Sequence, residues 1–305
     1  MPTETRAAKR SKTSNAPAQA SVGPGDLQTR LRELNTLSTT EFQQEHIPKH
    51  LLTYNSTKLP SGSITLEYCS ASELSKQDLD KCFQLLVQTS REDYEDSSRG
   101  WHPEHKRAEM LDMNMRYLIV RSSPSKQQQQ QQQQTPMTAS TPIAASRVSQ
   151  VDGSHTTTST PASTSSRTST DTITTTNPAL DTFGFLSFQL DDDWTLSGYR
   201  VPILYLYEIH LGRSLRGTGL GKYLMNLARH IAAATSMAKV ELSVFRSNMH
   251  AEDFYRGLGY VTDETSPRMV KKGRKRMKPD WLVLSLPIKT EPSSEESDDE
   301  GPGPA

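Results

Sequence analysis

Apolar positions recur in blocks along this 305-residue chain, and the period of the recurrence changes from block to block. Leu27, Leu31 and Leu34 share one helical stripe, and Asp26 stands where a carboxylate can cap the start, so a first helix is expected there. Ser63-Ile64-Thr65-Leu66-Glu67-Tyr68 alternates with period two and predicts a strand. Ser72 is placed to cap a second helix, in which Leu79, Cys82, Phe83 and Leu86 keep helical spacing. Pro103 suits the first turn of a further short helix, and Tyr117-Leu118-Ile119-Val120 reads as a buried strand.

At Ser122 the pattern stops. Residues 122–180 hold eight consecutive glutamines, Gln127 to Gln134, and then Ser/Thr-rich sequence without one aromatic. Such a segment cannot bury enough apolar surface to offset its ordering entropy. It is expected to be a disordered insertion at a hairpin tip, joining neighbouring strands of one sheet, since loop closure costs rise only slowly with length. Strand patterning resumes at Phe183 to Leu190 and again at Ile203 to Leu211. A Gly-containing turn follows, then a helix with Leu220, Leu224, Leu227, Ala228 and Ile231 inward, a strand Val240 to Val244, a helix Ala251 to Leu258 and a closing strand Trp281 to Leu286. The folded part reads as α/β, with βαβ character after the insertion.

Composition sharpens the boundaries. Only 33% of residues are hydrophobic, below the usual 45–50% of a compact domain. The deficit sits in residues 1–25, 122–180 and 288–305. These read as a disordered basic arm, the insertion and a disordered acidic tail around one domain over 26–287. No stretch approaches the roughly 20 apolar residues of a membrane span, and no apolar segment follows Arg6, Lys9, Arg10 and Lys12 to make a secretory signal. Cys69 and Cys82 form neither a disulfide framework nor a CxxC metal site, which fits a reducing compartment, cytoplasm or nucleus. The formal net charge of zero is a cancellation of the basic run Lys271 to Lys278 by acidic segments such as Glu295 to Glu300. The basic run reads either as a solvated loop or as a nuclear-localisation or nucleosome-binding patch. Ile288-Lys289-Thr290-Glu291 has the form of a SUMO-acceptor site.

The most informative stretch is Leu211-Gly212-Arg213-Ser214-Leu215-Arg216-Gly217-Thr218-Gly219-Leu220-Gly221-Lys222, between a strand and an amphipathic helix. Glycines let backbone approach a ligand, and the unpaired N–H groups and positive dipole end of a helix start suit a pyrophosphate. Arg213 and Arg216 add charge that can grip phosphate. A P-loop is excluded because Thr218 stands where its lysine should, and a dinucleotide fingerprint because Lys222 stands where its third glycine should.

What remains, Arg-Gly-x-Gly-x-Gly, resembles the acetyl-CoA signature of the GCN5-related N-acetyltransferases, the GNAT family. Asn248, Ala251, Phe254, Tyr255 and Leu258-Gly259-Tyr260 resemble the strand–helix element that follows in that family. Tyr94 to Trp101, Lys106 to Met110, Tyr117 to Ile119, Tyr205 to Glu208 and Thr265-Ser266-Pro267 are similar to the NatD type within it, which acetylates the N-terminal serine of core histones. Arg99 and Gln189 depart from it, standing where that type has an aromatic and an acidic residue.

The resemblance implies a mixed, mostly antiparallel sheet flanked by helices, with a splayed central strand pair holding acetyl-CoA. It implies no metal, and acetyl-CoA contacts from Ile209, His210, Leu211, Arg213, Arg216, Gly217, Thr218, Gly219, Leu220, Gly221, Lys222, Asn248 and Tyr255, with Tyr255 near the thiolate as an acid. The implied partner is the Ser-Gly-Arg-Gly histone tail, met by a monomer in cytoplasm and nucleus, alone or with a ribosome partner. Neither membrane nor nucleic-acid binding is required.

The chemistry is amine attack on a thioester. An α-amino group with a pKa of about 7.7–8.0 is mostly protonated at neutral pH, so a base is needed. Glu208, on the strand before the turn, is the candidate; among Tyr205, Tyr207 and Ile209 its pKa is expected to rise by desolvation. His210 is the competing base, and the Ile209 N–H a candidate donor to the developing oxyanion. Strand alternation would put Glu208 and Tyr207 on opposite faces, so both reach the substrate only if the strand bulges or bends. Tyr94, Trp101, Tyr205, Tyr207 and Trp281 are candidate aromatic walls for the peptide, Ser243 a nearby hydroxyl, and Asp191, Asp192 and Asp193 candidate partners for its arginine. Two rival functions stay open: a GNAT enzyme acting on lysine side chains or small amines, and a non-catalytic chromatin interaction protein.

Overall fold

The computed structural model describes residues 24–59, 61–122, 178–272 and 275–289. In chain order the elements are α1 (Pro24–Thr36), α2 (Thr39–His46), a 3-10 turn (Lys49–Leu52), β1 (Thr53–Asn55), β2 (Ser63–Ser70), α3 (Lys76–Glu95), α4 (Pro103–Met110) and β3 (Arg116–Ser122). After the undescribed part of the insertion come α5 (Pro178–Asp181), β4 (Gly184–Trp194), β5 (Arg200–Leu211), a 3-10 turn (Arg213–Leu215), α6 (Leu220–Ala234), β6 (Lys239–Phe245) and α7 (Met249–Gly257). The short β7 (Val261–Thr262), β8 (Val270–Lys272) and β9 (Lys275–Met277) precede β10 (Trp281–Pro287).

Local chemistry moves several of the expected boundaries. Helix α1 begins at Pro24, so Asp26 lies in its first turn, where an acid complements the dipole without capping. Helix α3 is capped by Ser75, whose Oγ accepts from the Asp78 N–H at 3.1 Å, and not by Ser72. Helix α2 escaped the sequence reading although Ser38 and Glu41 form a reciprocal capping box ahead of the buried Phe42.

The main sheet has the order β1-β2-β3-β4-β5-β6-β10-β7, and every neighbouring pair is antiparallel except β5 and β6. One face carries Leu118, Leu186, Phe188, Leu204, Leu206 and Leu242, covered by Leu27 and Leu31 of α1, Phe42 of α2, and Leu224 and Ile231 of α6. The other face carries Tyr117, Ile119 and Phe185 against Cys82, Leu85 and Leu86 of α3 and Met110 of α4.

Two irregularities shape the centre. The parallel β5–β6 ladder runs only from Ile203↔Lys239 to Leu206↔Leu242, although both strands continue, so they splay beyond Leu206. In the β4–β5 ladder Ser187 pairs with Glu208 but Phe188 pairs with Leu206, leaving Tyr207 as an extra residue. That bulge resets the alternation. Before it, Leu204 and Leu206 point to the α6 face; after it, Ile209 and Leu211 do. Tyr205, Tyr207, Glu208 and His210 consequently share the α3 face.

Strands β3 and β4 are direct neighbours, with Val120 opposite Gly184, so residues 122–180 leave and re-enter at one sheet position. The end of that segment is ordered, contrary to expectation. Leu180 of α5 is buried, and a Cβ on Gly212 would lie 2.0 Å from the Leu180 carbonyl oxygen, so Gly212 serves close packing on α5. Ile288, assigned to the acidic tail, is also buried, and its N–H donates to the Ala238 carbonyl at 2.9 Å, which removes the apolar residue of the SUMO-like motif from the surface. The backbone of the basic run pairs as the β8–β9 hairpin, not as a loop. The rest of the arm, the insertion and the tail lies outside the described residues.

Candidate active site

The splay opens a cleft of about 660 Å3 whose floor is β5 from Leu206 to Leu211 and whose walls include Arg216, Gly217, Gly219, Gly221, Lys222, Asn248 and Tyr255. Gly217 and Gly219 have φ of +71° and +92°, a region side chains disfavour. Gly219 is the N-cap of α6 and supplies no side-chain acceptor; the Leu220 N–H donates to the Thr218 hydroxyl at 3.4 Å, while Gly221 and Lys222, which border the cleft, bring first-turn N–H groups with no capping side chain. With the dipole of a 15-residue helix behind them, they fit a pyrophosphate. The donor set and the bare glycine backbone therefore suit acetyl-CoA. Not every expected contact lies there. Arg213 is exposed in the 3-10 turn away from the cleft, and the side chains of Thr218 and Leu220 are buried. The Thr218 hydroxyl donates to the Leu215 carbonyl at 2.6 Å, so Thr218 and Leu220 have only backbone to offer.

Asn248 caps α7. Its Oδ1 accepts from the Ala251 N–H at 3.1 Å and its Nδ2 donates to Asp93 Oδ2 at 3.0 Å, so it braces the cleft wall with both polar ends. Tyr255 is buried beside Phe254 and Tyr260. Burial, with the charge of Glu208 added, raises its phenol pKa and keeps it a neutral hydroxyl.

Glu208 lies at the bulge with 8% of its surface exposed. One carboxylate oxygen contacts the Lys106 ammonium, and the Tyr94 hydroxyl lies 3.5 Å from the same oxygen. The other oxygen is 2.6 Å from His210 Nε2. The expectation of a raised pKa is overturned. Burial does push it up, but Lys106 and the His210 hydrogen bond outweigh burial and bring it down to about 2. With Glu208 ionised, His210 must donate through Nε2, while its Nδ1 lies 2.7 Å from the Thr89 hydroxyl. Both ring nitrogens are engaged, so His210 orients Glu208 and has no free lone pair for a substrate. Lys106 also lies 2.5 Å from Glu109, and although burial alone would lower its pKa, the two carboxylates raise it and hold the ammonium charged.

A second pocket of about 220 Å3 shares Tyr94, Leu206, Tyr207 and Ser243 with the cleft, so the two meet beside Glu208. Tyr94, Trp101, Tyr205, Tyr207, Ser243 and Trp281 all line it. Tyr205 and Ser243 are joined through their hydroxyls at 2.7 Å, Tyr94 stands edge-on to Trp101 and Phe245, and Arg99 stacks 4.6 Å above Trp281. Asp191 does not line it; it borders a separate depression beside α1. Asp192 is paired with Arg200, and Asp193 lies 3.7 Å from Lys239. The carboxylate in the pocket is Glu109.

The sequence reading missed Lys106, Glu109 and Thr89 as site residues. One signal was available: Lys106 stands four residues before the buried Met110, a charge on the apolar stripe of α4.

Comparison with known proteins agrees with this geometry. Residues 180–260, which span the bulged strand, the turn and α7, match the model of the acetyltransferase (GNAT) family. The fold is GNAT-like, mixed α/β with an open, mostly antiparallel sheet flanked by helices. Among curated proteins the chain is similar to N-alpha-acetyltransferase 40 of Saccharomyces cerevisiae, with 32% identity over 96 residues, covering 27% of this chain and 34% of that protein. The match thus spans about a third of the length of that relative. Among solved structures, Arabidopsis thaliana NAA60 in complex with a bisubstrate analogue is 12% identical with a TM-score of 0.40, over 74% of this chain and 100% of that one. The ribosomal-protein-S18-alanine N-acetyltransferase from Escherichia coli is 13% identical with a TM-score of 0.35, over 75% and 98%.

Proposed function

We propose that this protein is an acetyl-CoA-dependent Nα-acetyltransferase that modifies the N-terminal serine of core-histone tails. The observation that carries the reading is the bulge at Tyr207. It gathers Tyr205, Tyr207 and Glu208 on one face, where a cleft with a helix N-terminus meets an aromatic pocket. The likeness to an Nα-acetyltransferase supports the terminal amine as acceptor. The serine-first histone tail rests on the sequence resemblance described above, and cytoplasm and nucleus are where free histones would be met. The enzyme acts as a monomer on this reading, with a ribosome as the partner for nascent chains.

Acetyl-CoA supplies the acetyl thioester. The residues of the chain do the rest. Glu208, ionised at any physiological pH, attracts the α-ammonium and takes its proton. The neutral amine then attacks the thioester carbonyl, forming the N–C bond and, as the tetrahedral adduct collapses, breaking the C–S bond. So low a pKa means that the protons released by the amine do not stay on the carboxylate but go to solvent and to the departing sulfur. Tyr255 offers a neutral O–H at the cleft wall for the departing sulfur. The aromatic walls exclude water from the amine. The test is acetyl transfer to two peptides beginning Ser-Gly-Arg-Gly-Lys, one with a free and one with a blocked N-terminus. Turnover of the free peptide alone is expected; turnover of both would move the chemistry to lysine, and of neither would discard the substrate.

A further inference from the structure

The glycine turn is not free-standing. The carbonyl oxygen of Thr218 accepts from the Tyr54 hydroxyl at 2.8 Å and from the Ser56 hydroxyl at 3.2 Å, across more than 160 residues of chain. Tyr54 lies on the edge strand β1, opposite Ile64 of β2, and Ser56 just beyond it. The Tyr54 ring packs on Tyr223 of α6 with centroids 4.7 Å apart. Tyr223 in turn donates to the carbonyls of Leu51 and Thr53 at 2.9 and 3.2 Å. Four side-chain hydrogen bonds thus join the segment 51–56 to the turn and the first turn of α6.

These bonds have a directional consequence. A trans peptide unit holds its C=O and its N–H on opposite sides. Pinning the Thr218 oxygen toward β1 sends the N–H of Gly219 away from β1, to the side where Gly219 borders the cleft. The conformation is otherwise a poor one to hold, because Gly217 and Gly219 are both at positive φ and glycine backbone is the most mobile there is. The contact is close enough to constrain the sequence too: a Cβ on Gly219 would stand 2.6 Å from the Tyr54 hydroxyl oxygen.

We propose that Tyr54 and Ser56 are positioning residues for the cofactor: they fix the Thr218–Gly219 peptide so that its N–H is aimed at the pyrophosphate before it arrives. The inference rests on the acetyl-CoA reading of the cleft and extends it to a strand outside the 180–260 segment. Pre-setting donors improves affinity by removing an ordering cost at binding.

The experiment is calorimetric titration of coenzyme A into the full chain and into Tyr54→Phe, Ser56→Ala and the double variant, with melting temperatures and separate KM values for acetyl-CoA and peptide. Tyr54→Phe keeps the ring on Tyr223 and removes one net hydrogen bond, so roughly threefold to fivefold weaker binding is expected, and about tenfold for the double variant. Peptide KM should stay constant. A double variant that binds coenzyme A like the unaltered chain overturns the proposal, as does a parallel rise of both KM values with a falling melting temperature, the mark of a merely structural role. If the double variant does not fold, the isosteric Tyr54→Phe decides alone by the same criteria. If the unaltered chain itself does not bind coenzyme A, the acetyl-CoA reading falls and the proposal with it.

Discussion

Two buried glutamates on neighbouring strands, Glu208 of β5 and Glu241 of β6, meet opposite fates. Glu208 has the Lys106 ammonium and the His210 N–H as donors, and its pKa falls to about 2. Glu241 lies 2.6 Å from Lys239, but that lysine is also 2.8 Å from Asp263 and 3.7 Å from Asp193. Burial, reinforced by the two aspartates, pushes Glu241 up to about 7. The three carboxylates approach one another as closely as metal ligands would, yet a lysine already fills the cation position. Burial acts on both glutamates in the same direction; the ratio of donors to carboxylates decides the sign. The desolvation argument applied to Glu208 from the sequence describes Glu241 instead.

Variants can break this contrast. Glu208→Gln removes the proton acceptor and should lower kcat by a factor of roughly 10²–10⁴ at neutral pH with coenzyme A affinity unchanged; retained kcat would dismiss Glu208. Lys106→Met leaves burial opposed only by His210. The Glu208 pKa should then rise, moving the acid limb of the kcat/KM profile to higher pH and lowering turnover at pH 7 by about 10-fold or more. A uniform drop without that shift would mean that Lys106 only supports the fold. His210→Phe removes the second donor while Lys106 stays, so the same limb should move by less. The smallest effect belongs to Glu241→Gln, read in stability. The raised pKa of Glu241 contributes stability that is complete below about pH 4.5 and lost as the pH rises through about 7. The variant should flatten that slope and gain about 2–4 °C in Tm at pH 8. Glu208 has the reverse sign: its contribution is present above about pH 4.5 and lost as the pH falls toward 2.

Much of the fold was legible because period is local. The strands carrying the site were visible as short apolar or alternating runs, and the glycine turn from a dozen consecutive residues. Short edge elements were not: β1 has three residues and β7 two, too few to show a period. The cofactor side of the site was more readable than the peptide side for the same reason. The turn and helix α6 are contiguous, whereas the aromatic pocket draws Tyr94, Trp101, Tyr205, Ser243 and Trp281 from separate stretches of chain. Lys106 and Glu208, 102 positions apart, touch only in three dimensions. The Asp191–Asp193 run attracted attention as a cluster of charge, but Asp192 and Asp193 are taken up by Arg200 and Lys239. Asn248 was found by motif, and its capping bonds to Ala251 and Asp93 lay beyond what spacing can reveal.

The extra residue at Tyr207 makes the active face a matter of length as well as chemistry. Deleting Tyr207 would restore an unbroken ladder, with Leu206 opposite Phe188 and Glu208 still opposite Ser187 on the α3 face, but would take away the side chain that shares that face with Glu208 only because of the bulge. Transplanting the site onto another sheet would require copying a count of residues before copying their identities.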